Sequence, residues 1–273
     1  MSAVDALFAK LKKNGSKAFI PFITAGDPNL KATGEILSAL VEHGCHLCEV
    51  GIPYSDPIAD GPVIQASYTR VLEAGIRLED IFGTLEKTVP SLEAPVITMS
   101  SHAIIHRRGA ENYIEMAKKS GISGLIVPDL PVEESGNLQA ICRDADMSLI
   151  QLITPNTPPD RADQIVAAAS GFIYYVSIVG ITGERQNLPE KILESVQALR
   201  KKTDLPICVG FGVSTPDHIR MLAPVADGII VGSAIVRRFA ATPTTEGGSG
   251  IDPETLSDVM TYIETLTEAL AAC

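Results

Sequence analysis

The sequence predicts an α/β protein with the (β/α)₈ barrel fold, in which parallel strands alternate with helices around a closed sheet. Eight short apolar runs, each followed by a segment that fits a helix, occur along the 273 residues. The runs contain few polar residues, which is typical of strands buried on both faces of a parallel sheet. Such barrels need roughly 250 residues, so the length also fits. An open doubly wound sheet is the alternative, and the absence of a Gly-x-Gly-x-x-Gly motif after the first strand disfavours it.

The first part of the chain begins with a helix that precedes the first strand. Its apolar residues recur at helical spacing over residues 4–13. The first strand is predicted over 18–23, and Gly44 ends the helix that follows it. The second strand starts at Cys48, and Pro62 is well placed in the first turn of the next helix. The helices of this part after the first strand are predicted at 30–43, 62–74 and 78–89.

The alternation continues to the end of the chain. Apolar runs predict strands at 95–99, 124–127, 148–152, 172–176, 206–209 and 228–231. The segments between them fit helices at 109–120, 132–144, 159–169, 189–202 and 215–222, a short helix after Gly232 and a last helix over 253–272. The composition of 241–250 predicts a flexible linker before that last helix. We therefore expect one barrel domain over 1–273, with an extra helix at each end.

Charge and composition narrow the classes of function. The net charge of -11 disfavours nucleic acid or an anionic membrane as the main partner. A phosphorylated metabolite is not excluded, because backbone amides can bind phosphate without net positive charge. No apolar run approaches the ~18 residues of a membrane span, and the first ten residues lack the pattern of a signal peptide. Five cysteines without framework spacing predict a reducing, cytoplasmic environment.

The most informative stretch runs from Cys48 to Gln65 and passes from an apolar strand into a loop rich in proline and glycine. Glu49 lies within the strand, whereas Asp56 and Asp60 lie in the loop. Burying an unpaired carboxylate is costly, so a carboxylate within a strand usually has either a partner or a function. The active sites of these barrels lie at the C-terminal ends of the strands, which is where Glu49 and Asp60 are predicted.

Glycine-rich turns follow three of the late strands, at 180–183, 210–214 and 232–234. The last two follow strands seven and eight, where barrels often bind phosphate at the N-terminus of a short helix. Glycine lets the backbone approach a ligand closely and leaves its N–H groups to donate. Ordinary turn and cap glycines are the alternative interpretation, and the pairing of two such loops on adjacent strands favours phosphate.

Other chemistries lack the residues that they need. No Gly-x-Ser-x-Gly motif supplies a nucleophilic serine, and no lysine ends a strand as a Schiff-base donor. His102 and His106 have no cysteine or carboxylate cluster beside them, so no metal site is predicted. Cys45 and Cys48 lack a second pair, which disfavours a zinc or redox function. Acid–base chemistry by carboxylates is the predicted mechanism.

Several motifs together resemble those of the tryptophan synthase alpha chain family. The block 49–65 is the most specific, and the supporting motifs follow in family order at 21–28, 127–131, 174–177, 180–183, 209–212 and 232–236. The resemblance implies a barrel lyase that splits indole-3-glycerol phosphate into indole and glyceraldehyde 3-phosphate by a retro-aldol reaction. It implies no cofactor in this chain. The partner would be the tryptophan synthase beta chain of an α₂β₂ heterotetramer, which carries pyridoxal phosphate and uses the indole for L-tryptophan synthesis.

The resemblance also implies roles for individual residues. Glu49 would act as the general acid and base, and Asp60 would accept a hydrogen bond from the indole N–H. The loop that contains Thr182 would close over the site and meet Asp60. Pro53 and Asp56 would face the beta subunit. Substrate-binding residues would be Phe22, Ile64, Tyr174 and Thr182. Phosphate-binding residues would be Gly183, Phe211, Gly212, Gly232 and Ser233.

The environments of the two carboxyl groups agree with these roles. Burial in an apolar strand raises the pKa of a carboxyl group, so Glu49 is predicted to titrate near neutrality, as a proton shuttle requires. Asp60 is predicted to occupy a more polar position in its loop and to stay ionised. Two carboxyl groups in two environments can then play different parts.

The chain departs from the family after the third strand. The family usually has a Tyr-Asn-Pro-like segment there, whereas 100–108 reads Ser-Ser-His-Ala-Ile-Ile-His-Arg-Arg. Ser101 and Ala103 replace the aromatic residue and the asparagine if Gly109 sets the register, and the neighbouring arginines suggest a solvated or interface segment.

Three alternatives to the lyase subunit therefore stay open. One is a weakly catalytic or non-catalytic subunit that binds and activates the beta chain, and another is a stand-alone lyase that releases free indole. A different phosphate-binding barrel, such as an isomerase, fits the glycine loops but not the block 49–65.

Overall fold

The computed structural model describes residues 1–57, 60–176, 191–240 and 250–273. Eight strands pair in chain order as a closed parallel barrel, and the first strand pairs with the eighth. This confirms the predicted (β/α)₈ barrel. The strands are β1 Ala18–Thr24, β2 Cys48–Gly51, β3 Val96–Met99, β4 Ile122–Ile126, β5 Ser148–Ile153, β6 Ile173–Val176, β7 Ile207–Gly210 and β8 Gly228–Val231.

Twelve α-helices in the described ranges surround the sheet or close its ends. They are α1 Ala3–Asn14, α2 Leu30–Glu42, α3 Pro62–Glu73, α4 Leu78–Thr88, α5 His102–Arg108, α6 Ala110–Lys119, α7 Gly136–Asp144, α8 Pro159–Ala168, α9 Lys191–Arg200, α10 Pro216–Leu222, α11 Ser233–Ala240 and α12 Pro253–Ala271. The extra helices predicted at the two ends are α1 and α12. None of the helices in the described ranges is both long enough and apolar enough to cross a membrane.

Alternation along the strands produces two apolar layers. On β1, Phe19 and Ile23 belong to the layer between the sheet and the helices, whereas Ile20 and Phe22 belong to the layer inside the barrel. Successive strand residues point to opposite faces, so each strand contributes to both layers. The strict alternation matters for function, because it determines which residues of β2 point into the barrel.

Helix α1 closes the N-terminal end of the barrel. Val4, Phe8 and Leu11 are buried with the residues of the interior layer. The Ser2 side chain accepts a hydrogen bond from the N–H of Asp5 and so begins the helix. Its hydroxyl oxygen lies 2.6 Å from that of Ser148, the first residue of β5. With this end blocked, access to the interior is from the C-terminal end.

Hydrogen bonds to one buried carboxylate fix the first loop at that C-terminal end. The Asp27 carboxylate, which follows β1, accepts hydrogen bonds from the Ser67 hydroxyl at 2.5 Å and from the Arg70 guanidinium at 2.6 and 3.1 Å. Ser67 and Arg70 both belong to α3, so this network holds the helix that follows the 52–61 loop. Charge-assisted contacts of this kind are stronger than neutral hydrogen bonds.

Three element predictions are wrong in detail. The fourth strand begins at Ile122 rather than 124, and its register with β3 shifts between Val96 and Ile97. The segment after β3, for which no helix was predicted, forms α5. The helix predicted over 132–144 begins only at Gly136, because a 3₁₀ turn occupies Val132–Glu134.

Two predicted features fall partly or wholly outside the described residues. Residues 241–249 of the predicted linker lie outside the described residues, and its last residue, Gly250, lies within them. The Gly250 carbonyl accepts a hydrogen bond from the Asn29 side chain, and the next N–H, that of Ile251, donates to the Glu35 carboxylate. These contacts attach the start of the last segment to α2. The glycine turn predicted over 180–183 also falls outside.

Candidate active site

A cleft lies at the C-terminal end of the barrel and encloses about 470 Å³, part of which is open to solvent. Nine of the residues predicted from the sequence line it together. They are Phe22, Glu49, Asp60, Ile64, Tyr174, Phe211, Gly212, Gly232 and Ser233. Thr182 and Gly183, which were predicted to join them, lie outside the described residues. The remaining lining residues are Met99, Val213 and Ala234.

Glu49 lies at the base of this cleft, on a strand position that points into the barrel. Its neighbours in register are Phe22 on β1 and Ile97 on β3, both apolar and buried. The side chain is 0% exposed, and neither carboxyl oxygen has a hydrogen-bond partner in the described structure. Burial, reinforced by the charge of Asp60, raises the pKa of Glu49 to about 8. A carboxyl group near neutrality can both give and take a proton at physiological pH.

Asp60 reaches the same cleft from the loop after β2. The Tyr54 hydroxyl lies 3.4 Å from its Oδ2, and the Gln65 side-chain amide donates to its backbone carbonyl at 2.7 Å. Asp60 is 8% exposed, so its position is less polar than the sequence predicts. Burial raises its pKa to about 6, against the opposing effect of the Tyr54 hydrogen bond. Its pKa still lies below that of Glu49, so Asp60 loses its proton first as the pH rises.

Apolar and aromatic side chains form a wall of the cleft that holds the two carboxyl groups. Phe22, Ile64 and Met99 belong to the interior apolar layer that extends into the cleft. Tyr174 is buried, and its ring meets that of Phe211 edge-on at 5.6 Å between centroids. A flat aromatic ligand would find apolar contact on these surfaces, because offset and edge-to-face ring contacts are favourable.

Gly51, the last residue of β2, has no side chain, and the Phe22 and Tyr68 side chains occupy the space where one would lie. A Cβ atom at this position would lie 2.6 Å from the Tyr68 hydroxyl oxygen and 2.8 Å from Cε2 of Phe22. We expect Gly51→Ala to lower the free energy of unfolding by about 1–3 kcal/mol, because both neighbours are buried and must move. Urea denaturation measures the change.

Gly83→Ala is the matched control for that substitution. Gly83 lies within α4, and nothing lies within 4 Å of the Cβ position there. Alanine should stabilise a helix interior by about 0.5–1 kcal/mol relative to glycine. A Gly51→Ala chain as stable as its parent would show that the Phe22 and Tyr68 side chains are not tightly packed.

The loops after β7 and β8 form a further side of the cleft, next to the apolar wall. Phe211 has φ 70° and Gly212 φ 81°, so two successive residues adopt the left-handed conformation. This is strained for a bulky side chain such as Phe211, and strained backbone is concentrated at functional sites. After β8, Ser233 begins α11, and the first N–H groups of a helix lack partners within it. This side of the cleft can therefore bind an anion.

The segment after β3 does not contribute Ser101 or Ala103 to the cleft. The Ser101 side chain caps α5, and its hydroxyl donates to the Asp129 carboxylate at 2.7 Å. The other oxygen of that carboxylate accepts from the His102 N–H at 2.7 Å. Ala103 is exposed. Among the described residues it is Met99, one position before this segment, that extends the apolar wall.

The two residues predicted to face a partner differ in exposure. Pro53 is buried within the chain, whereas Asp56 is exposed and accepts a hydrogen bond from the Ser55 hydroxyl at 2.6 Å. Sequence reasoning missed Tyr54 and Met99 as contributors to the site. Met99 is the last residue of its strand, the position at which barrel residues face the cleft, and that signal could have identified it.

Comparison with known proteins decides the family. The profile of the family described as tryptophan synthase alpha chain matches residues 8–260. The chain belongs to the tryptophan synthase alpha chain family. A tryptophan synthase alpha chain from Rhodopirellula baltica is 49% identical over 256 residues, which cover 93% of this chain and 92% of that protein. This confirms the family that the motifs predicted and assigns the chain to an enzyme, tryptophan synthase.

Solved structures of tryptophan synthase have the same fold. The crystal structure of tryptophan synthase subunit alpha from Legionella pneumophila is similar with a TM-score of 0.88 and 32% identity, over 100% of both chains. A chain of the tryptophan synthase complex from Pyrococcus furiosus is similar with a TM-score of 0.81 and 32% identity, over 92% of this chain and 98% of that one. The tryptophan synthase alpha fold therefore extends over nearly the whole chain.

Proposed function

We propose that this chain is the lyase subunit of tryptophan synthase, which cleaves indole-3-glycerol phosphate into indole and glyceraldehyde 3-phosphate. The observation that carries the proposal is the Glu49 carboxyl group, which is fully buried in the cleft and has no hydrogen-bond partner among the described residues. A buried polar group without a partner is rare in a folded protein and needs an explanation. A substrate whose own groups accept a proton from Glu49 and give one back supplies that explanation.

Glu49 performs the proton transfers of this retro-aldol reaction. In its neutral form, which its raised pKa favours at pH 7, it gives a proton to C3 of the indole ring. The resulting carboxylate then takes the proton of the glycerol hydroxyl next to the ring. The bond between the ring and the glycerol chain breaks, its electrons return to the ring system, and indole and the aldehyde leave. Glu49 ends protonated, as it began.

Asp60 stabilises the ring during this sequence. Protonation at C3 places positive charge on the indole nitrogen, and a carboxylate that accepts the N–H hydrogen bond offsets that charge. The carboxyl group with the lower pKa suits this role, because it is ionised when Glu49 still holds its proton. The apolar wall of Phe22, Ile64 and Tyr174 binds the ring, and Phe211, Gly212, Gly232 and Ser233 surround the phosphate.

The family membership supports a beta-chain partner for this cytoplasmic subunit. The solved relatives include a tryptophan synthase complex. In this assembly, the exposed Asp56 faces the beta subunit, which carries the pyridoxal phosphate. The alpha chain works without a cofactor as one domain.

Indole release tests the reaction directly. The purified chain should produce indole from indole-3-glycerol phosphate, and it should do so faster when the cognate beta chain is added. We expect production in both cases, because Glu49 and Asp60 belong to the same cleft of one chain.

The other results of this experiment identify the alternatives. Activation of the beta chain without indole formation would favour a binding subunit that has lost the lyase reaction. Rapid turnover by the isolated chain, combined with no binding to the beta chain in sedimentation, would favour a stand-alone lyase.

A further inference from the structure

Tyr262 on helix α12 contacts both the loop that follows β7 and α11, the helix that follows β8. Its hydroxyl donates to the Ser214 carbonyl at 2.7 Å, at the end of the loop that follows β7. The Arg238 guanidinium lies 3.5 Å above the centroid of its ring. Arg238 belongs to α11, the helix that follows β8. One side chain on the last helix thus contacts the elements that follow two adjacent strands.

The contacts around Tyr262 continue to the residues that line the cleft. Ser214 is next to Val213, and its N–H donates to Nδ1 of His218 at 3.2 Å. Both polar groups of the Ser214 backbone are therefore fixed, one by α10 and one by α12. On the other side, the Arg238 guanidinium donates to the Ala234 carbonyl at 2.7 Å, and Ala234 lines the cleft.

We propose that Tyr262 is a positioning residue that holds the loops after β7 and β8 in the conformation that receives the phosphate of the substrate. The inference rests on the proposed function, because the ligand of these loops is the phosphate named there. The strained turn at Phe211 and Gly212 needs support, since left-handed backbone persists only where its surroundings impose it. Tyr262 touches no substrate atom in this proposal and acts only through the loops.

The test compares Tyr262→Phe with the parent chain. The substitution removes the hydroxyl that donates to Ser214 and keeps the ring beneath Arg238. The dissociation constant for inorganic phosphate, measured by calorimetry, should rise about fivefold, the factor that the loss of one neutral hydrogen bond produces. With indole-3-glycerol phosphate, KM should rise by a similar factor, whereas kcat should change less than about twofold, because Glu49 and Asp60 are untouched.

A substrate without phosphate separates positioning from a general structural effect. Cleavage of indole-3-glycerol should be equally slow in the parent chain and in Tyr262→Phe, because this substrate has no phosphate for the loops to bind. Thr261→Ala is the control on the same helix, because the Thr261 hydroxyl is exposed and, among the described residues, donates to the Ser257 carbonyl within α12. It should leave phosphate binding unchanged.

The outcomes distinguish this inference from the proposed function. A parent chain that does not bind phosphate would overturn the phosphate site and the positioning role together. A parent chain that binds phosphate while Tyr262→Phe binds it equally well would overturn the positioning role alone. An equal loss of activity toward the phosphorylated and the dephosphorylated substrate would assign Tyr262 to overall stability instead.

Discussion

Replacing Glu49 by glutamine is expected to lower the rate of indole formation by about 10²–10⁴-fold, the range that a positioned general acid and base contributes. Glutamine has nearly the same shape as glutamic acid. It is also neutral, and so is the buried Glu49 carboxyl group when the pH is below its pKa of about 8. It can neither give a proton to the ring nor take one from the glycerol hydroxyl. Substrate binding should persist, because the apolar wall and the phosphate loops are unchanged.

The measurement is kcat for indole release by the purified chain at pH 7, with binding of indole-3-glycerol phosphate followed separately by equilibrium dialysis. Asp56→Asn is the matched control, since it replaces an exposed carboxylate on the same loop by its amide. The isolated control chain should retain the parent rate. Retained turnover in Glu49→Gln would remove Glu49 from the mechanism, and loss of substrate binding would assign it a structural role.

The position of Glu49 could be predicted because it depends on local rules alone. The C-terminal location of barrel active sites was sufficient to place it at the cleft, and alternation along β2 explains why its side chain points inward. The raised pKa follows from the same observation, since a residue within an apolar strand of a closed barrel is desolvated. The fold was predictable for a similar reason: eight repeats of one local pattern leave few ways to bury the strands.

The environment of Asp60 could not be predicted in this way. Its burial depends on where the loop after β2 passes relative to Tyr54 and Gln65, and loop paths are not periodic. The same limit applies to α5. Its N-terminus is capped partly by Asp129 from the loop after β4, a contact between residues 27 and 28 positions apart in the chain. Contacts between loops determine both the burial of Asp60 and the start of α5. The sequence pattern of a loop does not indicate which other loop it contacts.

The Tyr262 contacts are a further case of this limit. The helical pattern of α12 predicts a helix and its buried face, but not which loop a half-buried tyrosine on it reaches. The hydrogen bond to Ser214 joins residues 48 positions apart. Residues that act on the cleft from the last helix were therefore absent from the sequence predictions, whereas those on the strands were present.

The buried carboxyl group of Glu49 also makes stability depend on pH. In the unfolded chain its pKa is about 4.3, whereas in the folded chain burial raises it to about 8. Between these values the unfolded chain has released a proton that the folded chain retains. The free energy of unfolding should therefore fall as the pH rises through this window, by up to about 1.4 kcal/mol per pH unit from this group. Asp60, raised to about 6, contributes with the same sign at the lower end only.

Glu49→Gln isolates this contribution, because glutamine does not titrate and the other groups cancel in the comparison. Near pH 5 the two chains should be similarly stable, since Glu49 is neutral in the folded parent. By pH 8 the variant should be the more stable of the two, and most of the gain should accumulate between pH 6 and 8, above the range in which Asp60 titrates. Urea denaturation at each pH measures the difference. A difference that stays constant across this range would mean that the Glu49 carboxyl group is solvated or paired in the folded chain. Glu49 would then lack the raised pKa on which the proposed proton transfers depend.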